Sequence, residues 1–536
     1  MTVDPKEIRP PLLNPVAGSG GIAATAPAPA VFATLVGREK ECRRLRDAAA
    51  ALAGHTGRSI RVQGTAGMGK SAFLSAALRD VVPAGGRVGW AAGSELAQRI
   101  PFRVLLECLE TALPDDNRCE ALRRLSDEVT DGATLAGAAG RAAGLIRGAA
   151  ADGPLILVAD DLQWADAGTV RVWDLLRDST REMPLLLIGA TRPGEAQPPG
   201  ADEVIELTPL PAAHASQLVR TVMGREPDRR LIREIVVEAA GNPCYLRLLA
   251  AKGSVRITPE LTFAIAGHLE HYAGATRRAL NAVAHLVAGD ESVDVAGCER
   301  GDLAVVTGRG SEDLLRDLAP AVRGGVLTVS GERIEFRCRI VARVLHEEGS
   351  APLRVMVHRS FASRLADANR PPERVVGQLL AGPVPMRGPI VGWLTDHVES
   401  LFERTPHLAL STLEQARSQD GIAFADRLVI TAWLARLRQR QNRDCVAEAD
   451  WVAAHTDDPL LRGEMRWLAA LAHERNGNHL RAAGIAWAEL RDGGAPASRQ
   501  SGFRSLLDRM SPHLPSTARP SLPRSVTTGH DTAVNW

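Results

Sequence analysis

The stretch Gly64-Thr65-Ala66-Gly67-Met68-Gly69-Lys70-Ser71 fits the pattern G-x-x-x-x-G-K-[ST]. Those residue types at that spacing suit one chemistry. Glycines let the backbone curl around a polyphosphate with its N–H groups pointing inward. A helix starting at the lysine adds partial positive charge at its N-terminus. Lys70 would reach the β- and γ-phosphates of a nucleotide, and the Ser71 hydroxyl would ligate Mg²⁺. Lysine is scarce in this chain, limited to Lys6, Lys40, Lys70 and Lys252, so the match does not come from a lysine-rich background.

A second constellation follows downstream. Leu155-Ile156-Leu157-Val158-Ala159 is the most apolar strand-like run, and it ends in Asp160-Asp161. After a phosphate loop, an apolar strand ending in paired acids is the Walker B arrangement. Asp160 is then expected to hold Mg²⁺ through water, and Asp161 to polarise the attacking water as general base. On its own the pair would read as acids leading into a turn. The next apolar run, Leu185 to Ala190, ends at Thr191-Arg192. Arg192 is the candidate for a polar group sensing the γ-phosphate, the alternative being a surface arginine before Pro193.

These residues need a scaffold that brings strand ends together. Ser59 to Val62, Val88 to Ala92, Leu155 to Ala159, Leu185 to Ala190 and Val204 to Leu207 read as five buried strands. Helical stretches separate them: Ser71 to Val82, Phe102 to Leu113 and Leu122 to Ile146. The alternation implies an α/β P-loop NTPase core, a parallel sheet of five strands with right-handed crossovers. From about Pro211 the pattern is helical. Ala212 to Met223 and Leu231 to Ala240 form a lid, broken at Gly241-Asn242-Pro243. His268 to Val287 and Ser311 to Leu318 read as helices, and Val326 to Val329 with Arg333 to Phe336 as a hairpin, so a winged-helix-like domain is expected. Beyond it, Ala432 to Val452 and Arg462 to Leu490 read as antiparallel helix pairs of an all-α, tetratricopeptide-like region. The expected organisation is a disordered arm (1–33), an ATPase core (34–210), a helical lid (211–257), a winged-helix-like domain (258–345), a helical region (346–510) and a disordered tail (511–536).

Composition narrows the function classes. Basic residues number 64 and acidic residues 63, a net charge of +1, which gives no electrostatic case for a dedicated nucleic-acid surface. The seven cysteines are scattered without a C-x-x-C, arguing against a disulfide framework or a cysteine zinc site and for a reducing cytoplasm. No run is long and apolar enough for a membrane span, and no secretory signal is present.

Several segments together resemble one family. They are Leu35-Val36-Gly37-Arg38-Glu39, the phosphate loop, Asp160-Asp161-Leu162-Gln163-Trp164-Ala165-Asp166, Thr191-Arg192-Pro193-Gly194-Glu195 and Gly241-Asn242-Pro243-Cys244-Tyr245-Leu246. Their order is that of signal-transduction ATPases with numerous domains (STAND), and the chain resembles in particular the large ATP-binding regulators of the LuxR family. The resemblance runs from about Leu35 to Leu490 and weakens after Phe336. It implies that Val36, Gly37 and Arg38 lie near the adenine and that Pro243 is the lid proline touching the nucleotide. It further implies that the winged helix clamps the ATPase instead of reading DNA, and that the helical region senses an effector or a protein. Such regulators end in a helix-turn-helix, and none is found here; Cys338 also stands where relatives often carry histidine. The expectation is a slow ATPase, switched between ATP and ADP with Mg²⁺, self-associating when ATP-bound and reaching DNA only indirectly. It would lack its DNA-binding end by nature or by truncation. The competing readings are a DNA-remodelling or replication-type AAA ATPase and a defence-type STAND sensor.

Overall fold

The computed structural model describes residues 35–79, 85–114, 116–194, 199–224, 227–289, 297–492 and 497–514. The expected arm (1–33) and the tail beyond 514 lie outside the described residues. The chain divides into two compact units. One comprises the residues up to Arg277 with Arg316–Val329 and Phe336–Val341; the other comprises Arg278–Leu315, Ser330–Glu335 and the residues from Ala342 onward.

The first unit opens with α1 (Glu39–Ala51) and β1 (Arg58–Gln63), followed by α2 (Lys70–Leu78) and β2 (Arg87–Ala92). Three helices follow, α3 (Arg103–Ala112), α4 (Asn117–Thr130) and α5 (Leu135–Ala151). Then come β3 (Leu155–Asp160), α6 (Ala167–Arg177), β4 (Leu185–Thr191) and β5 (Glu203–Glu206). The five strands form one sheet in the order β2-β3-β4-β1-β5, with every neighbouring pair parallel. This is the expected P-loop NTPase-like core. A parallel sheet is covered on both faces, and β3 and β4 are accordingly buried at every residue. Alternate side chains feed two cores. Leu155, Leu157, Leu185 and Leu187 pack with α3 to α6. Ile156, Val158, Leu186 and Ile188 pack with Phe73 and Leu74 of α2 and Leu45 of α1. Truncating a leucine such as Leu187 in this setting costs about 2–5 kcal/mol.

The run from Leu122 to Ile146, expected as a single helix, is two. Asp131-Gly132 ends α4, and Gly132 takes φ +105, which a helix interior does not accommodate. Helices then dominate: α7 (Ala212–Met223), α8 (Arg229–Ala239), α9 (Pro243–Lys252), α10 (Pro259–Leu269) and α11 (Gly274–Ala288). The expected helix over His268 to Val287 is likewise interrupted. It stops at Leu269, the Tyr272 N–H turns back to the Leu269 carbonyl, and α11 restarts at Gly274.

After β6 (Gly297–Glu299), α12 (Arg300–Thr307) and α13 (Ser311–Arg323) lead into the expected hairpin, β7 (Leu327–Ser330) and β8 (Arg333–Phe336). The strand β6, not foreseen from the sequence, pairs antiparallel with β8. The rest is helical. The run is α14 (Arg339–Glu347), α15 (Ala351–Asp367), α16 (Pro372–Ala381), α17 (Pro389–Arg404), α18 (Pro406–Ser418) and α19 (Phe424–Arg440). It continues through α20 (Val446–His455), α21 (Pro459–Arg475), α22 (His479–Asp492) and α23 (Ala497–Met510). From α18 onward each helix packs on the next, burying alanine-rich seams such as Ala432, Ala435, Ala449 and Ala469. Small seam residues let helices approach closely, which suits a chain with only 4% aromatic residues.

Candidate functional site

In a parallel sheet all carboxyl ends lie along one edge, and ligands of open α/β folds sit there. The registers put Gln63 beside Thr191 and Ala92 beside Asp160. The segments leaving β1, β3 and β4 therefore emerge side by side: the phosphate loop, Asp160-Asp161 and Thr191-Arg192.

Between β1 and α2 the loop folds as its glycines require. Gly67 and Gly69 take φ +78 and +82, a region costly to residues with a Cβ. A Cβ on Gly67 would lie 2.6 Å from Asn242 Oδ1, whereas one on Gly69 would meet nothing within 4 Å. The loop is thus closed on one side and open on the other. Gly64 is hemmed in by Leu207 and Met68, and Met68 is itself buried. The buried Lys70 Nζ donates to the Gly64 carbonyl at 3.0 Å. The closed side is built by α9. Asn242 caps that helix, its Oδ1 accepting from the Cys244 and Tyr245 N–H groups. Its Nδ2 donates to the Ala66 carbonyl at 3.0 Å. The Cys244 N–H also reaches the Gly67 carbonyl at 3.2 Å. Pro243, at the first turn of α9, is thereby held against the loop.

Asp160 is buried, and burial pushes its carboxyl up, with Asp161 pushing the same way and the Ser71 hydroxyl and Lys70 opposing. The Ser71 hydroxyl and the Lys70 charge thus both bear on the Asp160 carboxyl. Asp161 takes a left-handed conformation, φ 45 and ψ 45, and its N–H donates to Asp160 Oδ1 at 2.9 Å. The Asp161 carboxylate accepts from Gln163 Nε2 at 2.8 Å, and Arg192 Nε lies 3.9 Å away. Arg192 therefore faces the acids instead of the surface, with its Nη1 3.3 Å from His271 Nδ1. Beneath it the Thr191 hydroxyl is buried without a hydrogen-bond partner.

Val36 and Arg38 are buried. Gly37 takes φ +71, and a Cβ there would strike the His214 ring of α7. The Arg38 guanidinium donates to the Thr208 carbonyl and pairs with Glu41 at 3.7 Å. This segment is pinned to the β5–α7 connection. Two further segments of the same unit come in. Gly325, with φ +71, passes so close to Thr65 of the loop that a Cβ would clash with its methyl group, and Arg323 packs on Gly194. Cys338 is buried, its thiol donating to the Ala239 carbonyl at 3.3 Å and pushed up to about 12 by burial. It is an inert packing group.

Sequence reasoning missed three contributors. Asp166 is a buried cap. Its carboxylate accepts from the Phe102, Arg103 and Thr169 N–H groups and the Thr169 hydroxyl, tying α6 to the start of α3. Its place before Ala167-Gly168-Thr169 was a legible N-cap signal. His268 and His271 were read only as helix residues. Burial, reinforced by Arg192 and Lys70, holds His268 down to about 4, and its Nδ1 is 2.8 Å from the Tyr245 hydroxyl. Burial and Arg192 likewise hold His271 at about 4. Both rings are neutral at physiological pH, and nothing in the local sequence announces it.

Residues 34–188 match the family model of the AAA ATPase domain. Among curated proteins no sequence match was found. Among solved structures the chain is similar to a signal transduction ATPase with numerous domains (STAND) protein with a tetratricopeptide repeat sensor from Pyrococcus horikoshii. The identity is 13% over 89% of this chain and 65% of that one, with a TM-score of 0.32. The match thus spans less than two thirds of that protein's length. A Walker-type ATPase of Pyrococcus abyssi matches at 15% identity over 58% of this chain and 96% of that one, with a TM-score of 0.40. The Orc1 protein of Aeropyrum pernix, solved in complex with DNA, matches at 14% identity over 60% and 95%, with a TM-score of 0.33. These are distant likenesses, and the functional reading rests on the site's own residues. No helix among the described residues is long and apolar enough to cross a membrane.

Proposed function

We propose that the protein is an ATP-binding signal-transduction ATPase, a nucleotide-switched regulator that hydrolyses ATP slowly as a timer. The observation that carries this reading is the convergence of Lys70, Ser71, Asp160, Asp161 and Arg192 at the carboxyl edge of one parallel sheet. The residues fit a nucleoside triphosphate with Mg²⁺. The loop's open side at Gly69 leaves room for phosphates, and Lys70, now bonded to the loop's own Gly64 carbonyl, is the charge they would engage. Gly64 to Ser71 would cradle the phosphates, Ser71 and Asp160 would hold the metal, and Val36, Gly37, Arg38 and Pro243 would line the nucleotide. Mg²⁺, when bound, neutralises phosphate charge. Asp161 would orient the attacking water and accept its proton. Arg192 would stabilise charge developing on the γ-phosphate.

The clamp role of the winged-helix-like segments is supported by the approach of Gly325 to Thr65 and of Arg323 to Gly194. Any contact at the loop that nucleotide must displace couples occupancy to conformation. The helical region is the candidate effector or protein sensor. Its arginine-rich stretch is already engaged by acids: Arg436 with Glu464, Arg438 with Glu414 and Glu448, and Arg440 with Glu399. That pairing weighs against a DNA-remodelling role and favours a transcriptional regulator of the LuxR-family type that reaches DNA through a partner. Titration with a fluorescent ATP analogue tests the reading. Lys70→Ala should weaken binding at least tenfold, about 1.4 kcal/mol; unchanged affinity overturns the phosphate-loop assignment.

A further inference from the structure

Three histidines in the second unit converge, and the nucleotide chemistry uses none of them. His285 lies in the last turn of α11, His346 in the last turn of α14 and His358 midway along α15. Each offers a ring nitrogen, and the three nitrogens lie within 4.8 Å of one another. His346 Nε2 and His358 Nε2 are 2.9 Å apart, and the His285 ring centroid is 5.1 and 5.3 Å from those of His346 and His358. Three imidazole nitrogens bound at about 2.0–2.1 Å around a tetrahedral zinc stand about 3.3 Å apart. The observed spacing, 2.9 Å for one pair and within 4.8 Å for all three, brackets that distance.

The protons of His285 and His358 are fixed from outside the cluster, and His346 Nε2 then donates to His358 Nε2 and would give up that proton to a metal bound there. His285 Nδ1 lies 2.8 Å from the Asn281 carbonyl, which only accepts, so Nδ1 carries the proton and Nε2 the lone pair. His358 Nδ1 lies 2.9 Å from Gln378 Oε1. The Gln378 amide cannot be reversed, because its Nε2 donates to the His285 and Leu286 carbonyls at 3.3 and 3.2 Å. His358 Nδ1 is therefore also the protonated nitrogen, and its Nε2 is a lone pair aimed at His346. Close packing holds this outer layer: Gly289 lies against Gln378, and Gly382 against the His358 ring. Rings oriented by a carbonyl or amide on the far nitrogen are the usual support of metal-bound histidine.

We propose that His285, His346 and His358 form a three-histidine site for one borderline transition-metal ion, Zn²⁺ in the first instance. Water would complete the fourth position. Bound metal would tie α11, α14 and α15 together where their own hydrogen bonding leaves one N···N contact for three rings. Hard cations such as Mg²⁺ and Ca²⁺, which take oxygen ligands, do not suit this donor set. Arg354, which donates to the Glu347 and Gly349 carbonyls, is the nearby cation whose field opposes the ion, so binding should be weaker than at a four-ligand structural zinc site.

The test uses the full chain without a histidine tag, freed of metal by chelator and dialysed, with no nucleotide present. Calorimetric titration with ZnCl₂ should give one site per chain with a dissociation constant of about 10⁻⁶ M or tighter. His358 is fully buried, and its variants can fail to fold. The partly buried His346 and His285 therefore carry the test, with circular dichroism as the check on folding. His346→Gln and His285→Gln should each weaken zinc binding at least about 100-fold, whereas Lys70→Ala should leave it unchanged. CoCl₂ should give tetrahedral visible bands without thiolate charge transfer in the wild type and lose them in His346→Gln. Absence of a stoichiometric site, equal affinity in wild type and His346→Gln, or a thiolate band would each overturn the proposal and make the trio a polar packing cluster.

Discussion

The two compact units treat buried polar groups differently. In the first, several converge at the carboxyl edge of the sheet. The Thr191 hydroxyl has no partner, the Asp160 carboxyl is pushed up by burial and by Asp161, and Lys70 donates to its own loop. In the second, buried charges are paired within the protein. Glu448 meets Arg417 at 2.8 Å and Arg438 at 3.0 Å, Asp302 meets Arg370 at 2.6 Å, and Glu489 meets Arg466. Burying polar groups without partners costs free energy, so a cluster of them at one sheet edge is a candidate ligand site. The first unit thus gathers polar groups at one sheet edge, while the second sets these acids against arginines between its packed helices. The histidine trio of the second unit is a further cluster of polar groups away from water, and is a site candidate for its convergence.

The contrast can be broken from either side. The largest effect is expected at Asp161, whose carboxylate would act mainly in the transition state. Asp161→Asn should slow phosphate release by about 100-fold or more while leaving ATP affinity nearly normal. Wild-type turnover would remove Asp161 as the base. Glu448→Ala probes the opposite behaviour. Leaving Arg417 without its acid and Arg438 with Glu414 alone should cost about 1–3 kcal/mol of stability in urea unfolding, with nucleotide affinity unchanged. An unaltered unfolding midpoint would mean the pairs do not hold these helices.

A smaller effect concerns pH. His268 and His271 titrate near 4 in the folded protein against 6.5 unfolded. Between those values the unfolded chain binds more protons, so stability is full above pH 6.5 and falls as pH drops toward 4. The groups facing them are Arg192 and Lys70, and removing one histidine should flatten the slope. Denaturant unfolding of wild type and His271→Asn at pH 7.5, 6 and 5 measures this; identical slopes would show that the ring does not carry the linkage. The smallest expected effect is on DNA. The helix α13 carries Glu312, Asp313 and Asp317, and Arg436, Arg438 and Arg440 of α19 are paired with acids. The isolated chain should bind duplex DNA more weakly than about 10⁻⁶ M at physiological salt. A tight, sequence-selective shift would overturn the clamp role proposed for the winged-helix-like segments.

How much was legible depends on how far apart the cooperating residues lie. The five strands could be read because each is a short apolar run bounded by turns, and β3 and β4 are buried on both faces as such runs require. Interruptions were harder. Helical periodicity continues across Gly132 and across His271-Tyr272, and only the positive φ of Gly132 and the turn at Leu269 end those helices. The strand β6 is three residues long and exists through its pairing with β8.

By itself the sequence determined the phosphate loop, because eight contiguous residues carry both the backbone freedom and the charge that phosphate needs. It also determined the acids of β3, since strand and carboxylates are neighbours in the chain. Tertiary structure decided everything whose partners are distant. It turned Arg192 toward Asp161 and His271, made Asp166 a cap shared by two helices, and set Asn242 against Ala66. It also brought His285, His346 and His358 together from three helices. The seven cysteines form no disulfide among themselves. The histidines carry no spacing signal, because their proximity is a product of helix packing, and packing is set by the whole apolar surface of each helix, not by the residues that meet.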